Sequence, residues 1–301
     1  MRYLVLGIDS CVGKYIYNRL KNEKYGVMGT SRRNYSDQEV MRFDIQQDNP
    51  NVFRSIIDED VVAILCIASS NVDIVHERES EAYSINVLKT KELIQILHAA
   101  GAYVIWFSTQ EVFDGITGGY TEESKTNPLN KYGKMKEEME KYLMVNMPEV
   151  CIFRLAKIVC TYDDKKNLFT IWGRQAGREE IACIRDNRMN FVCIEDIYHA
   201  SILAGDNRIK GLYNIAGNKE YSRFELAECF FNIWGKKNVN IKEYDMEYFA
   251  EKFNFKDKRA LNVGLDNAKF SHEMKYKFMD MDKAIKLYFY NKGIVDNNFM
   301  E

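Results

Sequence analysis

The chain has 301 residues, a formal net charge of −2 and 46% hydrophobic residues, enough apolar material to bury a core in one or two domains. Lys and Arg are spread along the chain rather than gathered in a stripe, which argues against a nucleic-acid partner, and no run approaches the ~20 apolar residues of a membrane span. Seven cysteines without a C-x-x-C pair and four histidines without an H-x-x-x-H pair point to reduced core thiols, no metal centre and a cytoplasmic location.

The first apolar run, Tyr3–Leu6, predicts a strand that is too short for a signal-peptide core. Further strands are expected at Val27–Gly29, Val61–Ile67, Tyr103–Phe107 and Val150–Phe153. Helical patterns lie between them near Val12–Leu20, Val52–Ile57, Ala82–Ala99 and Lys131–Val145. Strands apolar on both faces that alternate with helices predict an α/β fold, a Rossmann-type doubly wound parallel sheet. After about Thr161 the elements become shorter: a strand at Ile181–Ile184, a helix near Ile194–Ala204, a strand at Leu212–Ile215, and helices at Ser222–Trp234 and Met281–Tyr290. The expected organisation is a dinucleotide-binding domain over 1–160. A smaller α/β C-terminal substrate lobe over 161–301 follows, with some segments returning to the first domain.

Gly7-Ile-Asp-Ser-Cys-Val-Gly13 follows the first strand and opens a helix. Glycines there permit a tight turn and let the backbone approach a pyrophosphate, which the helix N-terminus then faces. The second strand leads into Ser31, Arg32 and Arg33, with no acidic residue to meet a ribose 2′-hydroxyl. These residues suit a 2′-phosphate, favouring NADP(H) over NAD(H), although a solvated basic turn would read the same way.

Tyr132-Gly-Lys-Met-Lys136 lies on a predicted helix after Asn127-Pro-Leu-Asn130, and the apolar strand before it ends in Ser108-Thr109. Positions i and i+4 share a helix face, so phenol and ammonium can serve one site. A phenol with a pKa of ~10 is protonated at neutral pH and can donate to a carbonyl oxygen; a nearby ammonium would stabilise the phenolate left behind. The Thr109 hydroxyl can bond the same oxygen. Tyr132, Lys136 and Thr109 are therefore the candidate catalytic residues.

On these motifs the chain resembles the extended short-chain dehydrogenase/reductase superfamily, closest to dTDP-4-dehydrorhamnose reductase-like nucleotide-sugar enzymes. Phe107-Ser-Thr-Gln-Glu-Val-Phe-Asp-Gly115, Tyr120-Thr-Glu122 and Asn127 through Lys136 carry the likeness most strongly. Ala68 to Asp73, Asn86, Arg154, Phe191 to Asp196, Gly211 to Ile215, Ser222-Arg223 and Leu265-Asp266 extend it over nearly the whole chain. The resemblance implies that Gly7, Ser10, Cys11, Val12 and Gly13 form the pyrophosphate loop and that Asp44 and Ile45 lie beside the adenine. It also implies that Ile67, Ala68 and Ser69 line the cofactor, NADP(H) with NAD(H) also accommodated, and that Lys136 holds the nicotinamide ribose. Asn71, Glu111 and Lys157 are candidate substrate contacts, and the helices near Ala82–Ala99 and Lys131–Val145 would form the surface of a homodimer. Ser10 departs from the pattern by replacing the middle glycine, so either cofactor affinity suffers or its hydroxyl makes a hydrogen bond of its own. Cys66, Lys157 and Cys160 also depart from it.

Three readings of function follow. The first is NADPH-dependent reduction of a 4-keto nucleotide sugar. The second is a nucleotide-sugar dehydratase or epimerase, for which Glu111 would be a base, although a surface carboxylate reads as well. The third is a non-catalytic subunit that binds cofactor or nucleotide sugar.

Overall fold

Val, Ile and Leu in unbroken runs make the N-terminal strands apolar on both faces. In the computed structural model, which describes residues 1–178 and 180–295, six of them form one sheet: β1 (Arg2–Leu6), β2 (Gly26–Ser31), β3 (Val40–Arg42), β4 (Val61–Leu65), β5 (Tyr103–Thr109) and β6 (Cys151–Leu155). Gly211–Ile215 completes it, and the order is Gly211–Ile215, β6, β5, β4, β1, β2, β3. The β1–β2, β2–β3, β1–β4 and β4–β5 pairs are parallel. Every residue of β4 and β5 is buried, as parallel strands covered on both faces require. This is the Rossmann-type doubly wound sheet, and its order reverses between β1 and β4, the kind of switch point at which such sheets bind ligands.

Helix α1 (Cys11–Asn22) connects β1 to β2. Between β4 and β5 come α2 (Val72–Glu77), α3 (Glu79–Tyr83) and α4 (Thr90–Ala99), and α5 (Lys131–Asn146) precedes β6. The single helix expected over Ala82–Ala99 is instead interrupted by a wide π turn at Ser84–Lys89. The Thr90 hydroxyl donates to the Ile85 carbonyl, five residues back, at 2.7 Å. Asn86 turns its side chain away to the backbone of Ser69. The helix expected at Val52–Ile57 is a 3₁₀ turn, Pro50–Ser55, and the strand expected to reach Ile67 ends at Leu65.

The chain forms two compact units. The first comprises Met1–Val112, Pro128–Arg154 and Tyr198–Tyr213; the second comprises Phe113–Asn127, Leu155–Ile197 and the chain from Asn214. Residues 113–127, expected in the first domain, thus belong to the second unit. That unit holds a three-stranded sheet of Glu220–Tyr221, Met189–Cys193 and Lys157–Val159, and a parallel pair of Ile181–Ile184 with Ile241–Tyr244. Phe169, Trp172, Phe230, Trp234, Tyr288 and Phe289 pack ring against ring as its aromatic core. The helix Arg223–Ile233 is set by a reciprocal cap in which the Ser222 side chain accepts from Glu225 N–H and the Glu225 carboxylate accepts from Ser222 N–H. Among the described residues no disulfide joins any cysteine, and no helix is long and apolar enough to cross a membrane.

Candidate active site

β1 delivers the chain into Gly7, whose φ of +94° favours glycine; a side chain there would also meet Ile67 at 2.8 Å. A Cβ at Gly13 would lie 2.3 Å from the Gly7 carbonyl oxygen, so α1 can start against this loop only with glycine at 13. Ser10 is the N-cap of α1. Its hydroxyl accepts from Gly13 N–H at 3.0 Å and donates to the Gly7 carbonyl at 2.9 Å. Of the two outcomes open for Ser10, the structure therefore has its hydroxyl bonded, to the loop's own backbone. Cys11 and Val12 follow as the first residues of α1. The two glycine hollows and the start of a 12-residue helix fit the pyrophosphate of a dinucleotide.

At the end of β2 the folded chain brings in a carboxylate from elsewhere, Asp9 of the glycine loop. Its Oδ2 accepts from the Ser31 hydroxyl at 2.7 Å and from Arg32 N–H at 3.1 Å, and its Oδ1 accepts from the Tyr35 hydroxyl at 3.3 Å. Ser31 Oγ also accepts from Arg33 N–H, so the strand end is a closed turn of hydrogen bonds. The side chains of Arg32 and Arg33 are exposed and enter no ion pair among the described residues. Phe43 N–H donates to the Ser31 carbonyl, which brings Asp44 and Ile45 next to this turn. The Asp44 side chain accepts from Gln46 N–H, and Ile45 is buried. After β4, Ile67 packs under Gly7, while Asn86 grips Ser69 through two bonds, N–H to Oδ1 at 2.8 Å and Nδ2–H to the carbonyl at 2.9 Å.

The catalytic candidates meet where β5 passes α5. Alternation along β5 puts Trp106 and Ser108 on one face. The Lys136 ammonium donates to the Phe107 carbonyl at 2.6 Å, lies 4.3 Å from the Trp106 ring and is 5.9 Å from the Tyr132 ring centroid. Burial pulls Lys136 down to about 7, against an opposing pull from the Glu140 carboxylate. Burial pushes the Tyr132 phenol up, and the Glu111 carboxylate adds to this. Both causes act in the same direction and favour the protonated phenol. Thr109 sits at the end of β5, with its Oγ1 accepting from Glu111 N–H at 3.3 Å.

Two supports of this arrangement were not identified from the sequence. Asn130 caps α5 by accepting from Gly133 N–H at 2.8 Å, and its amide donates to Glu111 Oε2 at 2.7 Å. A Cβ at Gly133 would lie 2.1 Å from the Glu111 carbonyl oxygen, so glycine allows the helix to start hard against the turn that carries Thr109 and Glu111. An asparagine directly before a helical pattern is the signal that could have revealed the cap. One turn beyond Lys136, Glu140 takes two bonds from Arg154 of β6, at 3.0 and 2.7 Å, and a third from the Ser108 hydroxyl at 2.5 Å. Glu140 and Arg154 are 1% and 2% exposed.

The substrate candidates lie on three different elements. Asn71 caps α2, its Oδ1 accepting from Ile74 N–H at 3.0 Å. Glu111 lies on the short turn after β5. Lys157 belongs to the second unit, on the strand Lys157–Val159.

A parallel doubly wound sheet, a glycine loop after β1 and a Tyr-x-x-x-Lys helix beside β5 define an extended short-chain dehydrogenase/reductase fold. The chain belongs to the family described as RmlD substrate binding domain, whose model matches residues 1–292. It is 25% identical over 246 residues to methionine adenosyltransferase 2 subunit beta of Xenopus laevis, covering 75% of this chain and 70% of that protein. It is 26% identical over 207 residues to dTDP-4-dehydrorhamnose reductase of Mycobacterium tuberculosis (strain CDC 1551 / Oshkosh), covering 67% and 68%. Its fold matches the crystal structure of dTDP-4-dehydrorhamnose reductase from Bacillus anthracis str. Ames in complex with NADP. The TM-score is 0.83 and the identity 20%, over 96% of this chain and 98% of that one.

Proposed function

We propose that this chain reduces a 4-keto nucleotide sugar with NADP(H), and that NAD(H) is also accepted. The observation that carries this reading is Tyr132 on the same helix as a buried Lys136, whose ammonium is tied to the β5 backbone 5.9 Å from the Tyr132 ring centroid. The similarity to a named dTDP-4-dehydrorhamnose reductase supports the substrate class, and the NADP complex of a structural neighbour supports the cofactor. When bound, the dinucleotide supplies the hydride. Tyr132 gives its proton to the carbonyl oxygen of the sugar, and Thr109 donates a hydrogen bond to the same oxygen. Lys136, poised near neutrality, steadies the phenolate and holds the nicotinamide ribose. Gly7, Gly13 and the start of α1 hold the pyrophosphate. The Asn130 bond to Glu111 favours a positioning role for that carboxylate over the base that a dehydratase or epimerase would need. The test is oxidation of NADPH by the purified chain across a panel of dTDP- and UDP-linked 4-keto sugars; turnover of one of them is expected.

A second reading has its own support in the methionine adenosyltransferase beta subunits, which match three quarters of the chain. Under it the chain binds a dinucleotide without turning it over and joins a methionine adenosyltransferase as a regulatory subunit. Intact dinucleotide binding, no turnover on any sugar of the panel, and co-purification with that enzyme would favour it.

A further inference from the structure

The end of β2 is where a Rossmann-type protein reads the adenosine ribose: a carboxylate there bonds the free 2′-hydroxyl, and cationic side chains there accept a 2′-phosphate. This chain has both. Arg32 and Arg33 present two exposed guanidinium groups, while Asp9 reaches across from the glycine loop to Ser31 and Arg32. We infer that Asp9 is the residue that sets the choice between the two dinucleotides, opposing a 2′-phosphate and accepting the hydroxyl of an unphosphorylated ribose. This rests on the dinucleotide reading of the site given above.

Three observations carry it. First, the Asp9 carboxylate is fixed in place by donors from Ser31, Arg32 and Tyr35, so its charge stays at the strand end instead of swinging into solvent. Second, those bonds occupy the Ser31 hydroxyl, which is buried and would otherwise be a donor to a phosphate. Third, all three donors to Asp9 are neutral, so among the described residues no ion pair cancels its negative charge, which acts on whatever binds beside it. Coulomb repulsion between this carboxylate and a 2′-phosphate works against the attraction of the two arginines. The result is a chain that takes both dinucleotides, with a smaller preference for NADPH than Arg32 and Arg33 alone would give.

The test is calorimetric and needs no substrate. Affinities for NADPH and NADH are measured for the unaltered chain, for Asp9→Asn and for Arg32→Ala/Arg33→Ala. Asp9→Asn keeps an oxygen that can accept from Ser31 and Arg32, and the residue is exposed, so the fold is retained. Removing one screened, exposed charge should tighten NADPH about five- to tenfold at low salt, leave NADH unchanged or weaker, and lose most of this effect at high salt. The double arginine variant should shift the ratio the other way. The pair adenosine 2′,5′-bisphosphate and AMP should repeat the pattern as isolated fragments. If both dinucleotides bind and Asp9→Asn leaves their ratio unchanged, the inference about Asp9 falls and the proposed function stands. If neither binds the unaltered chain, both fall.

Discussion

The buried triad behind α5 makes the most demanding prediction. Glu140 receives two hydrogen bonds from Arg154 and one from Ser108, and with 1% and 2% exposure neither charge of the pair has water as an alternative partner. Replacing Arg154 with Met leaves the carboxylate without its bidentate donor. Replacing Glu140 with Leu takes both of these carboxylate acceptors away from the buried guanidinium. Either single change should cost about 3–5 kcal/mol, the range found when one member of a buried ion pair is removed. The double variant Glu140→Leu/Arg154→Met removes both charges and leaves only the Ser108 hydroxyl without its acceptor. It should cost about 1–3 kcal/mol, the penalty of one buried unsatisfied donor, instead of the sum of the singles. Urea denaturation followed by circular dichroism measures all four states of the cycle. The cycle also reaches the candidate site: the Glu140 charge raises Lys136, so Glu140→Gln should lower the ammonium further below about 7. Additive single and double variants, or singles that each cost under about 1 kcal/mol, would refute the claim that this pair is desolvated and coupled.

Tyr132→Phe removes the transferable proton and keeps the ring, so dinucleotide affinity should hold while the chemical step slows ~10²–10⁴-fold in single-turnover assays; unchanged turnover would remove Tyr132 from the mechanism. Lys136 falls from 10.5 to about 7 on folding, so between these values the unfolded chain binds the extra proton. The ligand-free protein should therefore gain stability from this group as pH rises from about 7 to about 10.5, with the penalty fully present below that window. Lys136→Met should flatten that rise in a series of denaturation midpoints. Asn130→Ala deletes both the cap of α5 and the donor to Glu111 and should cost about 0.5–2 kcal/mol. Asn130→Ser should restore the cap alone, and equal stability of the Ala and Ser variants would speak against the capping role.

Local pattern was enough for the frame of this protein. Apolar runs placed β1, β2, β4, β5 and β6 to within a few residues, because strands buried on both faces cannot carry polar alternation. Gly7 and Gly13 were legible because a tight turn and a close helix start exclude side chains, and Tyr132 and Lys136 because four residues make about one helical turn. Helix α5 marks the limit of that reasoning. Its sequence is rich in charge, and Lys136 with Glu140 has the spacing of an exposed i, i+4 ion pair, yet both side chains are buried. What buries them are partners far along the chain: the Phe107 carbonyl and the Trp106 ring for Lys136, Ser108 and Arg154 for Glu140. Asp9 is a similar case, since it is the folded loop that carries its carboxylate to Ser31, 22 positions away. Periodicity records which face of an element is apolar; whether a charge on that element can be buried depends on which opposing groups the tertiary structure sets against it, because an unpaired charge in the core costs several kcal/mol.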